Sequence, residues 1–311
     1  MLILDEGQVR RHLTYEALIP ALEQALIRFS EGTIVQPVRS LLEIPENHGR
    51  FALMPVVDGD LLGVKLVAVF EENTTLPTHQ AVIQLFSAST GEPLAVVDGR
   101  LITEMRTAAV TAIAARLFTP PRALKLAILG SGVQARSHLT ALRLVREMSE
   151  VRVWSRTPEN ALAFARATGS TALPLEEAIR GADIVVGVAN VSEPLILGRY
   201  LSEGAFVAAV AAVGVNRREL DDEAMQAIVV VESREAALRE SGDIIGSDAA
   251  IYAEVGEILA GRIAPPPEGK RVVYKGLGIA AEDLAAARIV YEAESREQEA
   301  GNREQGVGNR R

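Results

Sequence analysis

Apolar residues in the first 118 positions are spaced first as in a helix and then as in strands. Residues 15–29 predict a helix after Thr14, because their apolar side chains recur on one helical face: Leu18, Leu22, Leu26 and Phe29. Five short apolar segments follow, separated by turn sequences such as "STGEP": 38–44, 50–57, 61–70, 79–87 and 93–99. These segments predict a largely antiparallel sheet. Residues 101–118 predict a second helix that ends at "TPPR", since proline cannot continue a helix.

From residue 124 onward, apolar strands alternate with helices. The predicted strands are 124–130, 151–155, 182–189, 205–214, 227–233 and 271–278, and helices are predicted at 133–147 and 158–167. The first strand, "LKLAILG", is typical of a strand buried on both faces of a parallel sheet. The alternation predicts a doubly wound α/β domain. A last helix, "AAEDLAAARIVYEAE", follows, and the polar, near-repetitive residues 294–311 are predicted to form a disordered tail.

Composition and charge exclude several classes of function. The chain has 311 residues, a net charge of −9 and no cysteine. The negative charge argues against nucleic acid or an anionic membrane as partner, because both bind basic patches. The absence of cysteine excludes disulfides and thiolate metal sites, and the four histidines lack a metal-binding spacing, so no metal site is predicted. With no signal-like start and no apolar run near the ~20 residues of a membrane helix, we expect a cytoplasmic protein.

A glycine-rich turn joins the first α/β strand to its helix. Its sequence, Gly130-Ser131-Gly132-Val133-Gln134-Ala135, fits the pattern Gly-x-Gly-x-x-Ala. Gly130 permits the tight turn, Gly132 lets the backbone approach a pyrophosphate, and Ala135 lets the helix pack closely on the strand. The free N–H groups at the helix start favour an anion. The turn is therefore predicted to bind a dinucleotide, and a glycine turn without a ligand is the alternative.

The second α/β strand lacks the acid that is typical of NAD sites. In those sites an Asp or Glu, about 20 residues after the turn, binds the ribose 2′-hydroxyl. Here the strand ends in "VWSRTPEN", without an acid between Val151 and Thr157. Ser155, Arg156 and Thr157 instead offer hydroxyl groups and a planar cation, which suit a 2′-phosphate. The sequence predicts NADP(H) as the preferred cofactor, with NAD(H) possible; a solvated arginine at a strand end is the alternative.

The chain resembles the ornithine cyclodeaminase/mu-crystallin family from about residue 35 to 293. The motifs that carry the resemblance include "QPVRS", "GVKLVAVF", "LPTHQAVIQLF", "EMRTAAVTAIAA", "LAILGSGVQARSHL", "ELDDEAM" and "KGLGIAAEDLAAARIVY". The resemblance is greatest to the mu-crystallin branch. It implies an α/β fold in which a Rossmann-type doubly wound parallel sheet, residues 119–288, is inserted in a second α+β domain. That second domain, residues 1–118 with 289–311, is expected to bind substrate and to form a homodimer by pairing sheets.

The resemblance also implies a site for a small α-imino or α-amino carboxylate. Its cations are Arg39 in "PVRS", Lys65 in "GVKLV" and Arg106 in "EMRTAA", and Met54 is a further substrate contact. Arginine suits this role because its planar fork binds both carboxylate oxygens. An unpaired ammonium is costly in the apolar strand of Lys65, so we expect an anionic ligand there, and desolvation would lower its pKa toward that of a useful proton donor. A solvated or salt-bridged side chain is the alternative for each cation.

Cofactor contacts implied by the resemblance extend beyond the glycine turn. They are His79, Arg106, Thr107, Gly130, Ser131, Gly132, Val133, Gln134, Ser155, Arg156, Thr157, Val188, Val213, Leu277 and Gly278. For His79, in "LPTHQ", a purely structural role is an equal alternative.

One departure from the family concerns the residues after "AVG". Cyclodeaminases and archaeal alanine dehydrogenases of this family carry a catalytic aspartate two residues after that motif. Here "AVGVNRREL" places Asn216 at that position, in a shorter loop. Asparagine cannot act as a general base at neutral pH, although it can hydrogen-bond an amine. The shorter loop leaves Arg217, Asp221 and Asp222 as alternatives for the inward-facing residue.

Three functions are compatible with these features. The first is an NADPH-dependent reductase of cyclic ketimines, or a related amino-acid dehydrogenase, with Lys65 and Asn216 as the predicted catalytic residues. The second is ornithine cyclodeaminase, which forms proline and ammonia and would suffer most from the missing aspartate. The third, of another class, is a non-catalytic NADPH-dependent ligand-binding protein.

Overall fold

The computed structural model describes residues 1–308, with side chains described to residue 301. The strands are β1 (Leu2–Leu4), β2 (Ser40–Ile44), β3 (Gly49–Asp58), β4 (Leu61–Phe70), β5 (His79–Ser87), β6 (Pro93–Asp98), β7 (Leu124–Leu129), β8 (Met148–Trp154), β9 (Thr171–Ala172), β10 (Ile184–Gly187), β11 (Phe206–Ala209), β12 (Ile228–Val231), β13 (Ile251–Glu254) and β14 (Val272–Lys275). The helices are α1 (Glu6–His12), α2 (Tyr15–Ser30), α3 (Arg100–Phe118), α4 (Val133–Val145), α5 (Pro158–Thr168), α6 (Leu175–Ile179), α7 (Asp222–Met225), α8 (Arg234–Glu240), α9 (Gly242–Ser247), α10 (Val255–Leu259) and α11 (Ala280–Gly308).

The chain forms two compact units. The first comprises Met1–Ala25, Gly32–Arg106 and the chain from Ala280 onward, and the second comprises Leu26–Glu31 and Thr107–Ile279. Apart from the short segment Leu26–Glu31, the boundaries between the two units lie at 106/107 and 279/280. The domain boundaries predicted from the sequence lie at 118/119 and 288/289. The division into a substrate domain and a cofactor domain stays a prediction.

The first unit contains a six-stranded sheet in the order β1-β6-β5-β4-β3-β2. Strands β2 to β6 pair antiparallel, and β1 pairs parallel with β6. Burial alternates along β3 and β4, as expected when one face of a sheet is covered. Helix α11 covers that face, and its close approach depends on Gly63, where an added Cβ would lie 2.8 Å from Leu284 Cδ1.

The opposite side of this sheet, which we call the outer face, is apolar and half-buried. It includes Phe51, Leu53, Pro55 and Val57 on β3, and Leu62, Val64 and Leu66 on β4. A half-exposed apolar sheet surface is typical of a surface that meets another protein.

The second unit contains an eight-stranded parallel sheet in the order β13-β12-β14-β11-β10-β7-β8-β9. Strands β7, β10, β11 and β14 are almost wholly buried, because helices cover both faces of such a sheet. Leu129 at the end of β7 is in register with Gly187 of β10 and Trp154 of β8. The carboxyl ends of the central strands therefore share one edge, and the predicted doubly wound fold is confirmed.

Two expectations about individual segments need correction. The apolar run predicted as a strand over 205–214 forms a strand at Phe206–Ala209, because the residues that follow turn at Gly214, which makes an isolated bridge to Ser241. The segment expected to be disordered from residue 294 instead continues helix α11 to Gly308; residues 309–311 lie outside the described residues. Glu294 explains part of this order, since it is buried and bonds Arg11 at 2.6 Å and His12 at 3.0 Å.

Among the described residues, none of the helices combines the length and apolar character needed to span a bilayer.

Candidate functional site

The structure places Lys65 in a buried ion pair of the first unit. Lys65 lies on β4 directly opposite Met54 of β3, and its side chain points to the face covered by α11. Its Nζ lies 2.6 Å from Oδ2 of Asp283, in the first turn of α11, and both side chains are 2% exposed. The anion that meets this ammonium is thus a residue of the chain itself, so the burial of Lys65 does not by itself require an anionic ligand.

Arg106 joins the same cluster from helix α3. Its Nε donates to Asp283 Oδ1 at 3.2 Å, and its Nη1 donates to Glu282 Oε2 at 2.8 Å. Arg106, Glu282 and Asp283 are all at most 5% exposed. We call Lys65, Arg106, Glu282 and Asp283 the buried charge cluster. Its two cations and two acids balance one another.

Burial lowers the pKa of Lys65 to about 8, well below the usual value for lysine. The negative charge of Asp283 opposes this change and raises the pKa, whereas Arg106 and Arg39 lower it further. A lysine in this range exchanges a proton readily near neutral pH, which is what a general acid requires.

The other residues predicted for substrate binding lie on the same unit. Met54 is buried as the cross-strand neighbour of Lys65, and Arg39 is half-buried just before β2, close enough for its charge to act on Lys65. His79 lies at the start of β5, where desolvation is the largest cause that lowers its pKa and the charges of Lys65, Arg50 and Arg106 lower it further.

The glycine turn of the second unit has the geometry of a phosphate-binding turn. Gly130 has φ of +137°, which favours glycine, and an added Cβ would lie 3.0 Å from the backbone of Val188. Gly132 is the N-cap of α4, and a Cβ added there would meet open space. Gln134 Oε1, in the first turn of the helix, is buried and accepts no hydrogen bond from the described residues. A dinucleotide pyrophosphate fits these groups, because it needs close backbone approach and N–H donors at a helix start.

The residues predicted to bind the 2′-position of the adenosine ribose follow β8, beside that turn. Ser131 Oγ in the turn donates to Ser155 Oγ at 2.9 Å, which ties the two loops together. Arg156 and Thr157 are both exposed, and Thr157 is the N-cap of α5. The guanidinium of Arg156 and the hydroxyl of Thr157 are therefore accessible at this edge of the second sheet.

The remaining residues predicted to contact the cofactor differ in how exposed they are. Val188 and Val213 are half-buried after β10 and β11, and Val133 is 52% exposed at the start of α4. Leu277 and Gly278 are buried, and both backbone N–H groups donate to Glu232 Oε2 at 2.8 Å. Thr107 is half-buried on α3.

The loop after β11 carries Asn216 on an exposed position. Its neighbour Arg217 donates to Asn190 Oδ1 at 2.9 Å, and Asp221 caps helix α7 by accepting from Ala224 N. Asp222 bonds Arg218 at 2.7 Å. Each of the three alternatives to Asn216 thus already has a hydrogen bond or an ion pair with a neighbouring residue.

Sequence reasoning missed a second buried cluster, which fixes the start of this loop. Lys275 Nζ donates to Ala212 O at 2.9 Å and lies 2.8 Å from Glu219 Oε1 and 3.0 Å from Asp243 Oδ2. Glu219 Oε1 also accepts from the N–H of Ala212. Burial alone would lower the pKa of Lys275, but the two acids outweigh it and raise that pKa. We call Glu219, Asp243 and Lys275 the loop clamp.

One group of described residues has atoms of the kind that bind metals. His12, Glu294 and Glu297 place ligand-type atoms within 4.8 Å of one another. Arg11 bonds the same Glu294 oxygen that contacts His12, so this group is already charge-paired.

Comparison with known proteins identifies the family. The family model described as "Ornithine cyclodeaminase/mu-crystallin family" matches residues 1–298. The chain belongs to this family. Its member ketimine reductase mu-crystallin of Mus musculus is 44% identical over 304 residues, covering 94% of this chain and 97% of that protein. Delta(1)-pyrroline-2-carboxylate reductase of Bacillus cereus is 32% identical over 313 residues, covering 94% and 96%.

A solved structure of the same family matches the fold closely. Delta(1)-pyrroline-2-carboxylate reductase of Thermococcus litoralis, in complex with NADH and L-proline, superposes with a TM-score of 0.91 at 31% identity. The match covers 96% of this chain and 98% of that one. The family resemblance inferred from the motifs is thereby confirmed.

Proposed function

We propose that this chain is an NAD(P)H-dependent reductase of α-imino carboxylates, with cyclic ketimines as substrates and NADPH as the preferred cofactor. The observation that carries the proposal is the buried ammonium of Lys65, held by Asp283 beside Arg106. This arrangement combines a proton donor with a cation suited to a carboxylate. The similarity to ketimine and pyrroline-2-carboxylate reductases supports the substrate class.

The second unit would hold the cofactor. Backbone N–H groups at Gly132 and the start of α4 would bind the pyrophosphate. A bound dihydronicotinamide supplies the hydride for the imine carbon. Ser155, Arg156 and Thr157 would bind a 2′-phosphate, which favours NADPH even though the Thermococcus litoralis relative was solved with NADH.

The first unit would bind and protonate the imine. Arg39 and Arg106 would hold the substrate carboxylate, and Met54 would contact its apolar part. As the carbon accepts a hydride, the electron pair of the C=N bond takes a proton from Lys65 Nζ and becomes an N–H bond. Lys65 is left as a neutral amine and regains its proton from water, so each turnover consumes one hydride and one proton.

Asn216 favours reduction over cyclodeamination. Ornithine cyclodeamination needs proton transfers on an imine, a water and a second amine, and an amide cannot accept those protons at neutral pH. Reduction of a preformed imine needs only the proton of Lys65.

The outer face of the first sheet supports a homodimer. Its apolar side chains are half-buried, and β2 is an edge strand with Leu41 and Leu42 at least 50% exposed. A second copy of the chain would cover both features, because exposed strand edges and apolar sheet faces favour association. Light scattering of the purified protein should give the mass of two chains, and a monomer would contradict this assignment.

An activity screen with a matched variant tests the proposed function. NADPH oxidation should occur with Δ1-piperideine-2-carboxylate or Δ1-pyrroline-2-carboxylate, and Lys65→Met should abolish it while NADPH affinity stays unchanged. Lys270→Met, at an exposed lysine, serves as the control. Proline and ammonia formed from L-ornithine without net cofactor change would instead indicate a cyclodeaminase. Tight NADPH binding with no turnover across the panel would indicate a ligand-binding protein.

A further inference from the structure

We infer that Asp283 is a positioning residue for the reduction, whose carboxylate holds the Lys65 ammonium and the Arg106 guanidinium in fixed positions for the substrate. This inference rests on the proposed function and adds to it a residue of α11 for which the sequence predicted no role.

The geometry of the carboxylate carries the inference. Asp283 uses a different oxygen for each cation, with Oδ2 2.6 Å from Lys65 Nζ and Oδ1 3.2 Å from Arg106 Nε. Lys65 comes from a strand and Arg106 from a helix, so this one side chain fixes the ammonium relative to the guanidinium. A substrate that is bound by one cation and protonated by the other needs that spacing held.

The backbone around Asp283 is itself anchored. Gln36 Oε1 accepts from Ala281 N at 2.8 Å, which fixes the first turn of α11. One residue beyond Asp283, Leu284 packs against Gly63, two positions before Lys65 on β4. Because the helix is held on both sides of Asp283, its carboxylate has little freedom to follow a cation that moves.

The charges around Lys65 give Asp283 its electrostatic effect. Arg106 and Arg39 both disfavour the ammonium, and Asp283 is the neighbouring charge that favours it most. Glu282 faces the other side of the Arg106 guanidinium, and His79 lies within the field of Lys65. Without the charge of Asp283, Lys65 would face two arginines and the cost of burial, and it would lose its proton at a lower pH.

The test compares Asp283→Asn with Asp60→Asn. Asp60 is an exposed acid that pairs with Arg288, also on α11, and lies outside the buried charge cluster. In Asp283→Asn, the midpoint at which kcat/KM falls with rising pH should move down by about one pH unit or more, and KM for the imine should rise. NADPH affinity should be unchanged. Asp60→Asn should match the wild type in all three measurements.

A second readout does not depend on turnover. The pH titration of lysine ¹³Cε NMR signals, with Lys65 assigned by the signal lost in Lys65→Met, should show a lower pKa for Lys65 in Asp283→Asn. An unchanged pKa of Lys65 would overturn the inference. If the wild type reduces no imine, the proposed function fails, while this titration still decides whether Asp283 controls Lys65.

A conservative variant covers the case in which Asp283→Asn does not fold. Asp283→Glu keeps the charge but moves the carboxylate by one methylene. We expect its pH midpoint to stay at the wild-type value while kcat/KM falls about tenfold or more, because the two cations are displaced. Wild-type kcat/KM in this variant would show that the position of the carboxylate is unimportant.

Discussion

Lys275 Nζ lies 2.8 Å from Glu219 Oε1, and neither side chain is more than 2% exposed. Together with Asp243, this pair forms the loop clamp at the carboxyl end of β11. The clamp bonds both the N–H and the carbonyl of Ala212, immediately before the loop that carries Asn216. A buried charge network thus determines where that loop begins.

Replacing Lys275 should therefore destabilise the protein strongly. Lys275→Met leaves two acids buried without their cation, and the loss of one partner of a buried ion pair costs about 3–5 kcal/mol. Urea unfolding followed by circular dichroism measures this change in the free energy of unfolding. Lys270→Met, at an exposed lysine, should change it by less than about 0.5 kcal/mol. Equal stability of the two variants would show that the clamp contributes nothing.

The buried His138 predicts an acid-sensitive stability. Burial lowers its pKa to about 4, and the ring lies 3.0 Å from Thr111 Oγ1 and 2.8 Å from the carbonyl of Gln134. The unfolded chain binds this proton below a pH of about 6.5, so the contribution of neutral His138 is complete above that pH and is lost as pH falls toward 4. Between pH 7 and pH 4.5 the loss should be about 2.5 kcal/mol.

His138→Gln removes this titration. The free energy of unfolding of the variant should fall less between pH 7 and pH 4.5 than that of the wild type, by roughly the same 2.5 kcal/mol. His48→Gln, at an exposed histidine, should behave as the wild type does. Parallel pH profiles for wild type and His138→Gln would contradict the assignment of a neutral buried histidine.

Arg156 should determine the preference between the two cofactors. Arg156→Ala removes a cation from the proposed 2′-phosphate site, and a charged hydrogen bond is worth about 1.5–3 kcal/mol. The KM for NADPH should rise about 10- to 100-fold, while the KM for NADH stays nearly constant. Arg166→Ala, an exposed arginine on the neighbouring helix α5, provides the control. A stronger preference for NADH in the wild type would remove the basis of this prediction.

Substitution of the two glycines of the turn should affect different properties, stability for Gly130 and cofactor affinity for Gly132. Gly130→Ala forces a side chain into a left-handed backbone conformation and against Val188, at a cost of about 1–3 kcal/mol in the free energy of unfolding. Gly132→Ala has room for its Cβ, so the fold should keep its stability. That Cβ would occupy the space proposed for the pyrophosphate, so NADPH affinity should fall. Thermal unfolding and fluorescence titration distinguish these two outcomes.

The sequence predicted the central strands of the first sheet well, because their signals are local. Strands β4 and β5 have the predicted boundaries, 61–70 and 79–87, since apolar alternation and turn residues mark both ends. Polarity and near-repetition predict disorder for the residues of α11 after 294, but alanine, glutamate, glutamine and arginine also favour helices, and this second property decided the structure. The ion pairs of Glu294 with residues near the amino terminus have no local signal.

Of the buried charge cluster, the sequence predicted the two cations but not the two acids. Lys65 was predicted because it matches a cation of the family in "GVKLV", and its place in an apolar strand supported that role. Lys275 in "VVYKG" is also an ammonium in an apolar strand, but no role was predicted for it. The acids Glu282 and Asp283 also had a signal, since two carboxylates flanked by alanine and leucine on a buried helix must find cations. Which acid meets which cation is set by tertiary packing between distant segments, so one sequence could not assign the pairs.

Helix α11 follows the whole second unit in the chain, yet it supplies the acids that Lys65 and Arg106 require. The ribosome therefore synthesises the second unit before it makes the acids that pair with Lys65 and Arg106. Until those residues emerge, the strand that carries Lys65 cannot bury its ammonium without a penalty. We therefore expect the face of the amino-terminal sheet that carries Lys65 to stay exposed to solvent through most of translation. It should become buried only when α11 has been synthesised.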